Sequence, residues 1–210
     1  MAAINLIIHQ IDGFIRKYYK NLVLKGVIWC IGIFCATLLF FGGLEYFGWF
    51  SSTVRAILFY TWLFSFLFVF GKLIVYPVLQ LFRIAKGLDY LEAARIIGNH
   101  FPEVGDKLLN TLQLSDSSSD SGGSLDLIQA AIEQRSKSFK LVEFTTAVDE
   151  KKTLVFLKYV IPCILFLGGI ILFKPALIVD SSKRIINYNM MFEKPAPFQF
   201  VVEQFRGDYV

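Results

Sequence analysis

The strongest constraint on this chain is a set of long apolar runs. The first, residues 26–44, has nineteen residues without a formal charge, and the second, residues 56–82, contains one charged residue, Lys72. A third run, residues 153–173, also contains one lysine, Lys158. At about 1.5 Å per residue, helices of these lengths can cross a hydrocarbon core about 30 Å thick. The sequence therefore predicts a mainly α-helical integral membrane protein with three transmembrane helices.

Composition supports the same class. Hydrophobic residues make up 55% of the chain and its mean hydropathy is +0.56, so a soluble fold would have to bury all three runs. The net charge of +4 is explained by basic residues that flank the runs. It therefore gives no reason to expect a nucleic-acid partner.

The distribution of basic residues predicts the orientation. Positively charged segments resist translocation, and the turn between the first two runs has only Arg55. The first run, in contrast, is preceded by four basic residues: Arg16, Lys17, Lys20 and Lys25. We therefore expect a cytoplasmic N-terminus, a cytoplasmic segment over residues 83–152 and an exported tail after Lys174.

Further residues fit the membrane interface under this topology. Lys72 and Lys158 fall toward the cytoplasmic ends of their helices, where their side chains can snorkel to the interface. Trp49 belongs to an aromatic group in the first turn, which is typical of a membrane boundary. Residues 1–21 repeat apolar side chains at helical spacing and predict an amphipathic helix on the cytoplasmic face.

The cytoplasmic segment, residues 83–152, predicts a small helical module. Asp89 and Glu92 have capping-box spacing, and Gly98 can end the helix that they begin. Pro102 suits the first turn of the next helix. That helix has an apolar face that we expect to contact a partner: Val104, Leu108, Leu109 and Leu112.

A polar linker and a strand pattern mark the rest of the chain. Residues 115–124 are rich in serine, aspartate and glycine and predict a linker, after which Ser124 can cap a third helix. In the tail, residues 175–210, apolar and polar residues alternate over 198–203, which predicts a strand. A single strand is not stable alone. We therefore expect either a longer protein with an exported β-rich domain or a partner that completes the sheet.

The sequence contains no signature of catalysis or metal binding. Cys30, Cys35 and Cys163 lie inside the apolar runs and suit packing, and His9 and His100 are isolated from other ligand types. The runs contain no Asp, Glu or His, and nucleotide-binding and hydrolase motifs are missing from the sequence. We expect no catalytic residues, no cofactor and no metal site.

Residues 101–114 (FPEVGDKLLNTLQL) and 181–202 (SSKRIINYNMMFEKPAPFQFVV) carry a family resemblance. With them, nearly all of the chain resembles the N-terminal membrane region of very large, poorly characterised Bacteroidota membrane proteins. The resemblance implies the bacterial inner membrane, a longer parent chain and a role in envelope assembly or secretion. It transfers no catalytic residues.

These patterns favour a non-enzymatic anchor or scaffold that links cytoplasmic and periplasmic partners. The expected partners are the lipid bilayer, other membrane or periplasmic proteins, or further copies of the chain, and not nucleic acid. Two alternatives remain open: a transmembrane signal relay, and a small transporter or channel component that uses Lys72 or Lys158.

Overall fold

The computed structural model describes residues 2–117 and 143–192, and within these ranges the ordered elements are helical. Two π-helical segments, Gly71–Val75 and Ala176–Asp180, and a 3-10 turn, Phe144–Ala147, separate α-helices. The α-helices are α1 (Ala2–Gly48), α2 (Ser52–Phe70), α3 (Tyr76–Leu81), α4 (Tyr90–His100), α5 (Pro102–Ser117), α6 (Glu150–Leu154), α7 (Leu157–Phe173) and α8 (Ser181–Ile186).

Three helical stretches are long and apolar enough to cross a membrane. They are Asn5–Gly48, Ser52–Leu81 and Phe144–Phe173, of 44, 30 and 30 residues. They match the three apolar runs, except that Phe82, the last residue of the second run, lies one residue beyond the second stretch. The predicted helical fold with three helices of membrane-spanning length is therefore confirmed.

The chain forms two compact units, and the long helices pass from one to the other. The first unit takes residues up to Ala36 and the stretch Phe64–Gly168, and the second takes Thr37–Leu63 and the residues from Gly169 onward. Thus α1 begins in the first unit and ends in the second.

The core of the first unit is built on the start of α1. Ile7, Ile11 and Phe14 are at most 1% exposed, since the helical module covers the apolar stripe that we expected to lie on a membrane surface. The stripe also does not belong to a separate helix, because residues 2–48 contain no proline and form one continuous α1. The buried residues packed with it are Ala93, Ala94, Ile97, Val104, Leu108, Leu112, Phe144 and Val148.

The apolar face of α5 lies in this core. Leu108 is fully buried, and Val104 and Leu112 are no more than 9% exposed, while Leu109 packs at the edge of the same cluster. The structure thus places the expected partner-contact residues against the chain's own α1 and α4. A module of about seventy residues is marginal for a core of its own, and the start of α1 adds apolar side chains to this core.

The ends of α4 and α5 follow the sequence only in part. Pro102 begins α5 as predicted, and α4 begins after Asp89, although the Asp89 side chain makes no capping hydrogen bond. The helix does not end at Gly98 but continues to His100. Gly98 instead allows a close crossing with α5, since a Cβ atom there would lie 2.8 Å from the Cα atom of Gly105. Residues 115–117 of the expected linker are helical; the remainder, and the helix from Ser124, lie outside the described residues.

A second close crossing joins α1 to the segment before α3. Pro77 has no N–H to donate to the Leu73 carbonyl, so a regular helix cannot continue through it. The Gly71–Val75 segment adopts π-helical turns instead, and the Tyr76 N–H bonds to the Gly71 carbonyl five residues earlier. A Cβ atom added to Gly26 would overlap the Leu73 carbonyl oxygen. Only glycine lets α1 approach this backbone so closely.

We expect Gly26→Ala to destabilise the protein in detergent by about 1–3 kcal/mol, because α1 must move away from Leu73. Gly168→Ala is the matched control, since no atom lies within 4 Å of its added Cβ and alanine favours a helix by up to about 1 kcal/mol. Thermal unfolding followed by tryptophan fluorescence measures both variants. Equal melting temperatures for Gly26→Ala and the native protein would contradict the close crossing.

Candidate functional site

The second unit is organised around the turn between α1 and α2. Trp49 has a φ of 43°, a left-handed conformation that costs a bulky residue about 1–3 kcal/mol and persists only where surrounding contacts hold it. One such contact is the Arg184 guanidinium, which lies 4.2 Å from the centre of the indole ring. The turn is therefore fixed by a residue of α8, 135 positions later in the chain.

A buried carboxylate joins the three helices that meet here. Glu45, in the last turn of α1, is fully buried. Its Oε1 accepts hydrogen bonds from Arg55 Nε at 2.8 Å and from Arg184 Nε at 3.2 Å. Arg55 lies in the first turns of α2 and Arg184 in α8. We call these three residues the charge cluster.

The charge cluster is shielded from solvent. Arg55 is 3% and Arg184 8% exposed, so each ion would be costly to bury without its partners. Further hydrogen bonds satisfy the guanidinium groups: Arg184 donates to Ser181 Oγ at 3.1 Å and Arg55 to the Met190 carbonyl at 3.5 Å. Two cations and one carboxylate leave the cluster with one net positive charge.

Tyr188 provides a second attachment of the same segment to α2. Its carbonyl accepts a hydrogen bond from the Ser52 hydroxyl, and its hydroxyl lies 3.1 Å from that of Tyr60. Its ring centre is 5.8 Å from that of Phe59. Residues 181–192, which follow the third apolar helix, are thus bound to the α1–α2 turn. The first part of the expected tail is helical, and the predicted strand at 198–203 lies outside the described residues.

The chemistry of the charge cluster is structural. The Glu45 carboxylate accepts a hydrogen bond from each of the two guanidinium groups, so the three side chains form one internal network of ion pairs. Among residues 2–117 and 143–192, no group of three or more His, Cys, Asp or Glu side chains could hold a metal ion. The charge cluster can bind α1, α2 and α8 together and fix the packing of these three helices.

The basic residues predicted for the membrane interface occupy several environments. Lys72 and Lys158 are exposed, with Lys158 Nζ 4.8 Å from the Tyr159 ring centre. Lys25 Nζ lies 5.1 Å from the Phe156 ring centre. Arg16 and Lys20 are exposed; Lys17 pairs with Glu150 at 3.9 Å. Of the predicted interface residues, only Trp49 contacts the charge cluster.

Glu45, Arg55 and Arg184 were not predicted to form a group. Glu45 directly follows the first apolar run, and Arg55 contributed only to the predicted orientation. The available signal was a pair of opposite charges on either side of a short turn, which can meet when the turn brings the helices together. Nothing local in the sequence points to Arg184.

No protein-family model, curated protein or solved structure matches this chain.

Replacing Glu45 should destabilise the second unit strongly. Glu45→Gln leaves two buried guanidinium groups without their counter-ion, and breaking a buried ion pair costs about 3–5 kcal/mol. Limited proteolysis within residues 181–192, together with thermal unfolding, measures the loss. Glu150→Gln, at an exposed pair in the first unit, is the matched control and should change stability by about 0–1 kcal/mol. A Glu45→Gln protein as resistant as the control would contradict this role for the cluster.

Proposed function

We propose that the protein is a non-enzymatic anchor or scaffold subunit of an envelope assembly or secretion complex in the bacterial inner membrane. In this proposal the N-terminus and the helical module lie in the cytoplasm and the residues after Lys174 lie in the periplasm. The charge cluster is the observation that carries it. A scaffold must hold its partner-binding segments in fixed positions. The charge cluster binds α8, which follows the third apolar helix, to α1 and α2.

The first unit supports the same function. Its helical module is packed on the start of α1 with Ile7, Ile11 and Phe14 fully enclosed, so the module is part of the anchor and not a loosely tethered loop. α1 contributes to both units: its start lies in this core, and Glu45 lies in its last turn.

The lysines of the apolar helices give no support to transport. A path for ions or solutes needs polar side chains that face a protein-lined interior. Lys72 and Lys158 are instead exposed on the helix surface, as expected for side chains that snorkel to an interface. In the second and third helical stretches, only 6% of the most apolar window is buried. These surfaces suit lipid or the helices of a partner.

The proposed topology predicts opposite reactivity for two matched cysteine variants. Asn99 in α4 and Asn189 after α8 are both exposed. In spheroplasts, Asn189→Cys should react with a membrane-impermeant maleimide, whereas Asn99→Cys should react only after the membrane is permeabilised. The three native cysteines are replaced by alanine in both. Labelling of Asn99→Cys in sealed spheroplasts would contradict the orientation.

The scaffold function predicts that partners on the periplasmic side depend on the charge cluster. After in vivo cross-linking and capture through an N-terminal tag, the native chain should carry both cytoplasmic and periplasmic proteins. Glu45→Gln should lose the periplasmic set and keep the cytoplasmic set, while Glu150→Gln should keep both. Identical sets for the two variants, or no envelope protein with the native chain, would contradict the proposal.

A further inference from the structure

A cavity of about 390 Å³ lies in the first unit between α1 and the chain that follows α3. Cavities of this size commonly hold small ligands. Tyr19 forms one wall from α1, and the opposite wall comes from the residues that lead into α4. Its polar and aromatic lining consists of Tyr19, Gln80, Arg83, Lys86, Asp89 and Tyr90.

The wall of the cavity is held in a defined shape. The Tyr19 hydroxyl accepts a hydrogen bond from the Leu88 N–H at 2.7 Å, and Gln80 Nε2 donates to the Lys86 carbonyl at 3.0 Å. Arg83 has a φ of 58° and pairs with Asp12 of α1. The site is therefore formed before any ligand arrives, which lowers the cost of binding.

The cavity lies where lipid headgroups would be if the helices cross a bilayer. Arg83 follows directly after the second apolar run, and Tyr19 precedes the first run by seven residues, or about 10 Å of helix. Beside the cavity, Phe82 is 69% and Ile84 74% exposed. Large apolar side chains this exposed at a helix end suit insertion among lipids. The surrounding bilayer is thus the nearest source of a ligand.

The charges around the cavity are of both signs. Arg83 is paired with Asp12, whereas Lys86 and Asp89 form no ion pair among the described residues, and both are exposed. Asp89 also makes no capping hydrogen bond to α4. A lysine and an aspartate three positions apart offer a cation for a phosphate and a carboxylate for an ammonium group. The ring of Tyr90 adds an aromatic surface that attracts cations.

We propose that this cavity binds the zwitterionic headgroup of an aminophospholipid, with its phosphate at Lys86 and its ammonium group at Asp89. Tyr19 and Tyr90 enclose the headgroup, and Phe82 and Ile84 lie among the acyl chains. The site requires that the helices cross a bilayer, but it does not require that the protein act as a scaffold.

Native mass spectrometry of the full chain in detergent tests the site by titration with three lipids. They are phosphatidylethanolamine, phosphatidylglycerol, which lacks the ammonium, and phosphatidylcholine, whose trimethylated ammonium cannot donate a hydrogen bond. We expect phosphatidylethanolamine to bind about tenfold more tightly than the others, as one charge-assisted hydrogen bond contributes. Lys86→Gln and Asp89→Asn should each remove this preference. Lys107→Gln and Asp106→Asn, on the exposed surface of α5, should keep it.

Other outcomes would overturn the proposal. Equal binding of the three lipids, unchanged in Lys86→Gln, would show only lipid that surrounds the helices. A preference for phosphatidylglycerol, or displacement of the lipid by inorganic phosphate, would make this a simple anion site. If Lys86→Gln does not fold, as judged by thermal unfolding, Lys86→Arg should fold and keep the preference; loss of the preference in a folded Lys86→Arg would also count against the site.

Discussion

The second unit depends on one buried carboxylate. Glu45 has no access to solvent, and its Oε1 is the meeting point of Arg55 and Arg184. Burying these ions is costly. Each guanidinium group has a further acceptor, whereas Glu45 Oε2 is buried without a hydrogen-bond partner among the described residues. A buried ionic group of this kind specifies one arrangement of helices, since shifting any of the three would leave a charge unpaired. Arg184 also contacts the indole ring of Trp49, the residue with left-handed backbone conformation.

A glycine of α1 permits a second close contact. In the first unit a Cβ atom on Gly26 would overlap the Leu73 carbonyl oxygen of a π-helical segment, so only glycine fits there. At Gly42, in the second unit, an added Cβ would make only an ordinary van der Waals contact, 3.5 Å from the Leu177 carbonyl oxygen. Thus α1 contributes to both units, through apolar side chains at its start and through Gly26 and Glu45 further along.

These features suit a protein that holds other proteins in place. The apolar face of α4 and α5 packs on the start of α1, and the residues after the third helix are bound to the α1–α2 turn. Both contacts are made within the chain itself. The apolar surfaces of the long helices remain largely uncovered, as a lipid-facing or partner-facing surface requires. The cavity beside Tyr19 adds a place where the bilayer itself could be recognised.

The sequence by itself determined the helical fold and the three helices of membrane-spanning length. An apolar run such as residues 26–44 can be recognised from neighbouring residues alone, without knowledge of tertiary contacts. It also placed the start of α5 at Pro102, a local steric effect. Only the tertiary structure decided what covers the apolar faces: Leu108 and Ile7 look the same whether lipid, a partner or the same chain buries them. The charge cluster likewise could not be predicted. Glu45 and Arg184 are 139 residues apart, and their pairing depends on the tertiary packing that brings α8 next to the end of α1.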